Sequence, residues 1–191
     1  RQNMLKEMAE SYGWDFQVEP VEDLAYFQSF YFFKTRPIEA ESNCISDQDE
    51  DMHMELVDVT FEEGSDIFPE EYSTTIGLLK LPSSIPKFTI EKKDFIDKVL
   101  PIFEHKDIDY VLYEDAPKDF IVKVEDVQAM DVFLTDKLKV LIEVSGLHHL
   151  ESNGEAILIF SNDFALAQVR DYVKMIQFVE NFKSMTKERK V

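Results

Sequence analysis

This 191-residue sequence is poor in the residues that staple or break a chain: one cysteine, five glycines and seven prolines. A single thiol, Cys44, excludes a disulfide framework and any multi-cysteine zinc site. No run of eighteen apolar residues exists, so nothing in these residues spans a bilayer as a helix. The nearest stretch, Leu24–Phe33, is too short and is interrupted by Gln28 and Ser29. Positive charge is scarce as well. Twenty Lys and Arg against 39 Asp and Glu leave a formal charge of −19, a field that repels a phosphate backbone and argues against nucleic-acid binding. There is no P-loop, G-x-G-x-x-G, G-x-S-x-G or H-E-x-x-H pattern, so no catalytic signature is available to assign.

Apolar material is ample. Hydrophobic residues make up 45 % of the chain, and 16 Phe with 7 Tyr could not be left solvated in a disordered segment. Met4, Leu5, Met8, Ala9 and Tyr12 recur at helical spacing, and Gly13 is placed to stop that helix. Trp14–Val18 reads as a strand. Residues 21–33 are aromatic-dense and fit neither period, so Tyr26–Phe33 is either core or an exposed contact patch. Met52, Met54 and Leu56 alternate on one phase and Val57, Val59 and Phe61 on the other, which predicts a β-bulge or a strand buried on both faces. Asn43–Ser46 pairs with it across an acidic turn. Glu63 and Gly64 open the next loop, and Tyr72–Leu81 and Lys87–Glu91 follow as strands.

The Pro82–Pro86 corner is the natural seam of a single compact unit covering 1–191, dividing it into halves 1–86 and 87–191. In the second half, Phe95, Ile96, Val99 and Leu100 predict a short helix stopped by Pro101. Ile108–Tyr113 and Phe120–Glu125 read as strands joined through Ala116-Pro117. Val127 to Leu141 keeps a helical period up to Gly146, restarted at Thr135. Asn153-Gly154 marks a hairpin between His148–Glu151 and Glu155–Phe160. Val169, Val173, Ile176, Val179 and Phe182 line a long last helix, with Asn162 or Asp163 as its cap and Lys183, Lys187, Arg189 and Lys190 at its C-terminal end. The fold class is therefore α+β: antiparallel sheets with an N-terminal, a middle and a long C-terminal helix.

The charge map is the most informative feature. Between Pro37 and Leu79 there are thirteen acids and no Lys or Arg. A solvated acidic hairpin explains this blandly; a docking face for a basic protein explains it functionally, with Asp47, Asp49, Glu50, Asp51, Glu62 and Glu63 as contact candidates. As exposed turn charges, Asp49 and Asp51 should be replaceable by Lys at little cost in stability. Asp47, Asp49 and Asp51 also have the spacing that opens an EF-hand loop, and Asp58 falls at position 12. Met52 stands where the loop needs Gly, however, and the flanks read as strands, so these are weak metal candidates. Cys44 reads as a buried inert thiol, and His53, His105, His148 and His149 form no ligand pattern. No cofactor is expected.

The chain opens on Arg1 rather than Met, which leads to the expectation of an upstream segment; a basic residue there suits the cytoplasmic flank of a membrane helix. The order of Gly13-Trp14, Asn43-Cys44-Ile45, Glu55–Phe61, Thr74-Thr75-Ile76, Leu81-Pro82, Pro86-Lys87-Phe88, Asp107-Ile108-Asp109 and Phe120-Ile121-Val122 resembles a family of uncharacterised bacterial proteins. These carry one N-terminal membrane helix and a soluble α+β domain. Phe120, Val122, Ala129, Leu134 and Thr135 are also similar to a domain-of-unknown-function group with F-x-V and A-x-x-x-x-L-T in that order. The resemblance implies a domain at the cytoplasmic face of the inner membrane, tethered by a helix upstream of Arg1, with no catalytic residues to carry over. The uniformly acidic hairpin departs from the mixed or basic hairpin of that family and would oppose docking on anionic headgroups. The reading is thus a non-enzymatic interaction domain with an unidentified, basic protein partner. Its rivals are a soluble cytoplasmic inhibitor, immunity protein or chaperone that neutralises a basic partner, and a divalent-metal protein or hydrolase using Asp47, Asp49, Asp51 and His53.

Overall fold

The computed structural model describes residues 1–20, 24–34, 36–65, 68–95 and 110–188. In chain order these form α1 (Gln2–Tyr12), β1 (Asp15–Gln17), α2 (Leu24–Phe27), β2 (Ile38–Ser46), β3 (Met54–Ser65), β4 (Phe68–Lys80), β5 (Phe88–Lys92), β6 (Val111–Leu112) and β7 (Phe120–Val124). There follow α3 (Val127–Phe133), α4 (Asp136–Ser145), β8 (His149–Ser152), β9 (Ala156–Phe160) and α5 (Val169–Glu188). The fold is α+β, with an N-terminal helix, middle helices and a long C-terminal helix against antiparallel strands.

All described strands join one antiparallel sheet in the order β1-β2-β3-β4-β9-β8-β5-β7-β6. The Pro82–Pro86 corner links β4 to β5, which are not neighbours, because β9 and β8 lie between them. The sheet has an apolar core on each face. On one, Leu56, Leu79, Ile90, Val122, Ile157 and Ile159 pack under Leu5 of α1, Met130 of α3, Ile142 of α4 and Met175 and Val179 of α5. On the other, Val57, Val59, Phe61, Leu78, Leu158 and Phe160 pack under Phe27, Phe30, Phe32 and Phe33. The aromatic segment is therefore core, and an exposed patch at Tyr26–Phe33 is not what the chain builds there.

Two-sided covering explains the two phases in β3. Its register with β4 runs unbroken from Met54↔Leu79 to Ser65↔Phe68, so β3 has no bulge against that neighbour and is buried on both faces. The irregularity sits in β2, where the register shifts between Ser42 and Ile45 and Asn43 takes φ 53°. β3 also continues through Glu63 and Gly64, which the pattern had placed in a loop.

Local signals are met at several ends. Gly13 caps α1 in the left-handed conformation, Thr135 is the N-cap position of α4, and Gly146 closes that helix. The cap expected for α5 differs. Asn162 accepts a hydrogen bond from the Ala165 amide and Asp163 meets His148, whereas α5 begins at Val169 and Asp171 accepts from the Gln168 amide. Beyond Phe95 itself, the helix expected from Phe95 to Leu100 lies outside the described residues, as do the start of the Ile108–Tyr113 strand and His105. No helix among the described residues is long and apolar enough to cross a membrane.

Candidate interaction surface

The acidic run does not form one face. Met54 and Ser65 stand at opposite ends of β3, eleven residue steps or about 36 Å apart at strand rise. Asp47, Asp49, Glu50 and Asp51 lie at the β2–β3 turn, and Glu62 and Glu63 lie toward the other end.

At the β2–β3 turn the acids are largely spoken for. Asp47 is buried, and its carboxylate accepts from the Met54 amide at 2.9 Å, faces His53 Nδ1 at 3.1 Å and meets Lys183 Nζ of α5 at 2.5 Å. Asp49 lies 3.2 Å from the same ammonium and accepts from the Asp51 and Met52 amides. Burial pulls the Lys183 ammonium down, but hydrogen bonds and charge from Asp47 and Asp49 more than reverse it, so its pKa is raised. Burial likewise works against the Asp49 carboxylate, and the Met52 amide, Lys183 and the Asp51 amide outweigh it, holding its pKa below the usual range. His53 Nε2 reaches Glu55, which also pairs with Lys80 at 3.0 Å.

The expectation that Asp49 is a replaceable turn charge is therefore corrected: a lysine there would face Lys183. Asp47 cannot serve as an exposed contact either, while Glu50 and Asp51 are exposed. The cation between Asp47 and Asp49 is an ammonium supplied by α5. Among the described residues no group of three His, Cys, Asp or Glu is arranged to hold a metal ion.

A third acid of the run, Asp58, is buried in β3 by Arg1. The guanidinium makes two 2.6 Å bonds to its carboxylate and donates to Thr75 Oγ1, the Tyr172 hydroxyl and the Ala167 carbonyl at 2.8–2.9 Å. The hydrogen bond to Asp58 outweighs desolvation and raises the Arg1 pKa. Thus Asp47, Asp49, Glu55 and Asp58 each meet a cation from outside the run.

The far end of the β3–β4 ribbon is different. There Glu62 stands directly across from Glu71 and Glu63 from Glu70. Like charges in directly opposed positions oppose pairing. Glu70 and Glu71 are exposed, as is Glu39 on neighbouring β2. Glu63 meets Arg36 at 3.4 Å. That guanidinium is buried over the Phe32 ring, 4.3 Å from its centroid, and donates to the Phe32 carbonyl. Burial lowers its pKa, with Glu63 acting the other way. Tyr72 donates to Glu70 at 2.7 Å, so the Glu70 charge holds the phenol protonated, with a smaller push from burial.

Sequence reasoning missed a buried ionic cluster in the second half. His149 of β8 is fully buried, with Nδ1 3.4 Å from Glu91 of β5 and Nε2 3.4 Å from Glu151, both carboxylates also buried. Phe32, Phe95 and Phe160 ring the imidazole at centroid distances of 5.5–5.9 Å. Glu151 also accepts from the backbone amides of Tyr31 and Phe32, which ties the aromatic segment to the sheet. Desolvation works against the imidazolium, but the two carboxylates override it and push the pKa up to about 9. Burial, then the nearby carboxylates, raises the pKa of Tyr31 and Tyr110. His148 has a separate partner, Asp163 at 2.8 Å. Cys44 is buried in the aromatic core.

No protein-family model matches this chain, and no curated protein matches it. Its structure is similar to the crystal structure of the mycobacterial trehalose monomycolate transport factor A, TtfA, with a TM-score of 0.64 over 96 % of this chain and 92 % of that one. At 13 % identity the likeness is one of fold.

Proposed function

We propose that this chain is a non-enzymatic interaction domain, the water-exposed part of a membrane-anchored bacterial protein, and that it engages a basic protein through the acidic end of the β3–β4 ribbon. The observation that carries this reading is the pair of opposed glutamates, Glu62↔Glu71 and Glu63↔Glu70. Like charges in opposed positions destabilise a sheet; Arg36 offsets part of this at Glu63↔Glu70, and Glu62↔Glu71 is the more strongly opposed pair. A cationic partner would remove that cost on binding, with an attraction that weakens as salt rises. The similar structure is that of a transport factor, and the reading of this chain as an interaction domain is compatible with that name. Family resemblance adds the anchor, which would lie upstream of Arg1.

Stability and binding separate the functional reading from an indifferent acidic surface. Replacing Glu62, Glu70 and Glu71 together by Gln, with Glu63 kept to pair with the buried Arg36, should raise the melting temperature, because repulsion is relieved, and abolish salt-sensitive co-purification of the partner from native membranes. A stabilised variant that still recovers the same partner would remove the ribbon end from the account. Alkaline-carbonate extraction of the full-length protein from its own cells tests the anchor. Recovery in the pellet agrees with it. Release into the supernatant would leave the soluble inhibitor or chaperone as the better reading.

A further inference from the structure

A groove of about 760 Å³ opens at the other end of the sheet, between the Pro82–Pro86 corner, α3 and the β8–β9 turn. We propose that it binds a short peptide segment of a partner protein that carries apolar side chains flanked by Lys or Arg. Its floor is apolar: Ile85, Ala129, Val132 and Phe133 line it. Ala129, Val132 and Phe133 share one face of α3 at three- and four-residue spacing, and Val132 is 76 % exposed. A valine at such exposure on a helix face that also borders a concavity is apolar surface left for something else to cover.

The rim decides the chemistry of the occupant. Glu125, Asp126 and Glu155 are exposed carboxylates along it, against one ammonium, Lys87, which lies 3.6 Å from Glu125. A cationic segment is therefore favoured, and an anionic lipid or nucleotide is repelled. The walls are tied to one another. Ile85 donates its amide to the Gly154 carbonyl at 2.9 Å, and Glu125 donates to the Lys87 carbonyl at 3.3 Å. Asp126 caps α3 through the Ala129 amide, and the Phe133 ring rests against Phe88 and Phe182. Such a groove exists before the ligand arrives, so little ordering cost is left for binding. The site also lies far from the ribbon end. Lys80 pairs with Ala156 beside the groove, and Phe68, where β4 begins, lies twelve residues away along the strand, about 40 Å at strand rise.

The test uses the isotope-labelled protein of this sequence and two synthetic helical peptides, one of Leu and Lys and one of Leu and Glu, with chemical-shift mapping and titration. The Leu/Lys peptide should perturb the amides of Ile85, Val132 and Gly154 and bind at least tenfold more tightly than the Leu/Glu peptide. Val132→Gln, a surface substitution that leaves the fold and the rim charge intact, should weaken the Leu/Lys peptide at least tenfold through loss of apolar contact. Glu155→Lys should weaken it and flatten its salt dependence. Equal binding of the two peptides would overturn the charge argument. Perturbations confined to Glu62, Glu63, Glu70 and Glu71, with Val132→Gln unchanged, would overturn the groove while leaving the ribbon end in place.

Discussion

Replacing His149 by Leu should be among the most damaging single changes available in this chain. The substitution keeps roughly the side-chain volume among Phe32, Phe95 and Phe160, so the loss is electrostatic. It leaves Glu91 and Glu151 buried without the imidazolium that lies 3.4 Å from each. Removing one member of a buried charge group costs about 3–5 kcal/mol. The shift of His149 from 6.5 to about 9 gives a consistent figure, about 3.5 kcal/mol at about 1.4 kcal/mol per pKa unit. In a domain of this size a kilocalorie moves the melting temperature by about 2–4 °C, so a fall of about 7–14 °C is expected.

The pH dependence carries the sharper signature. Because the folded-state pKa lies above the unfolded one, the His149 contribution is complete below about 6.5 and disappears as pH rises through about 9. Glu91 and Glu151 flank the ring, Tyr31 and Tyr110 lie within electrostatic reach of these carboxylates, and Arg36 is the nearby cation acting on Tyr31. Thermal unfolding of wild type and His149→Leu by circular dichroism between pH 6 and pH 10 reads both effects. The gap between them should be widest near pH 6 and should close above pH 9. A gap independent of pH, or no gap at all, would refute the placement of a charged imidazole between these carboxylates.

Two further outcomes follow from packing and pairing. Lys183→Met should cost about 3 kcal/mol in denaturant unfolding, because it strands the buried carboxylate of Asp47 beside Asp49; a loss under 1 kcal/mol would mean that water, not α5, neutralises that turn. Gly77→Ala should cost about 1–3 kcal/mol, since its Cβ would come 3.2 Å from Leu56 Cδ2 and 3.3 Å from Ile159 Cβ in the core beneath Met175; a neutral result would show that the strands there can spread.

Much of the architecture was legible because local and global preferences agree. Gly13, Gly146 and Asn153-Gly154 stand where the backbone turns, and the apolar spacing of α1 and α5 matches the faces they bury. The reading blurred where one strand serves two cores: β3 shows no clean alternation because neither face meets water, and the phase change there mimics a bulge. β5 misled in the opposite way. Phe88 and Ile90 marked its inner face, but Thr89 and Glu91 are equally buried on the other, and a polar residue in a strand ordinarily signals solvent.

The candidate site was legible in composition and misread in placement. A run of acids without Lys or Arg shows in the sequence, but the cations that neutralise Asp47 and Asp58 come from Lys183 and Arg1, 136 and 57 residues away. Sequence spacing holds no record of such partners. In Lys183 the helix-dipole explanation concealed a buried ion pair, and in Glu91 and His149 only the β5–β8 register brings the charges together.

The account rests most directly on the β3–β4 ribbon end, and photo-crosslinking in native cells tests it. A photoreactive residue at Glu62 or Glu71 should give an adduct with one basic protein, and the adduct should vanish when the exposed Glu39 and Glu70 are changed to Lys. The same residue at Glu10, an exposed acid on α1, should give none. Identical adducts from Glu10, or adducts at Glu62 and Glu71 that survive the charge reversal, would contradict a docking surface at this end of the sheet.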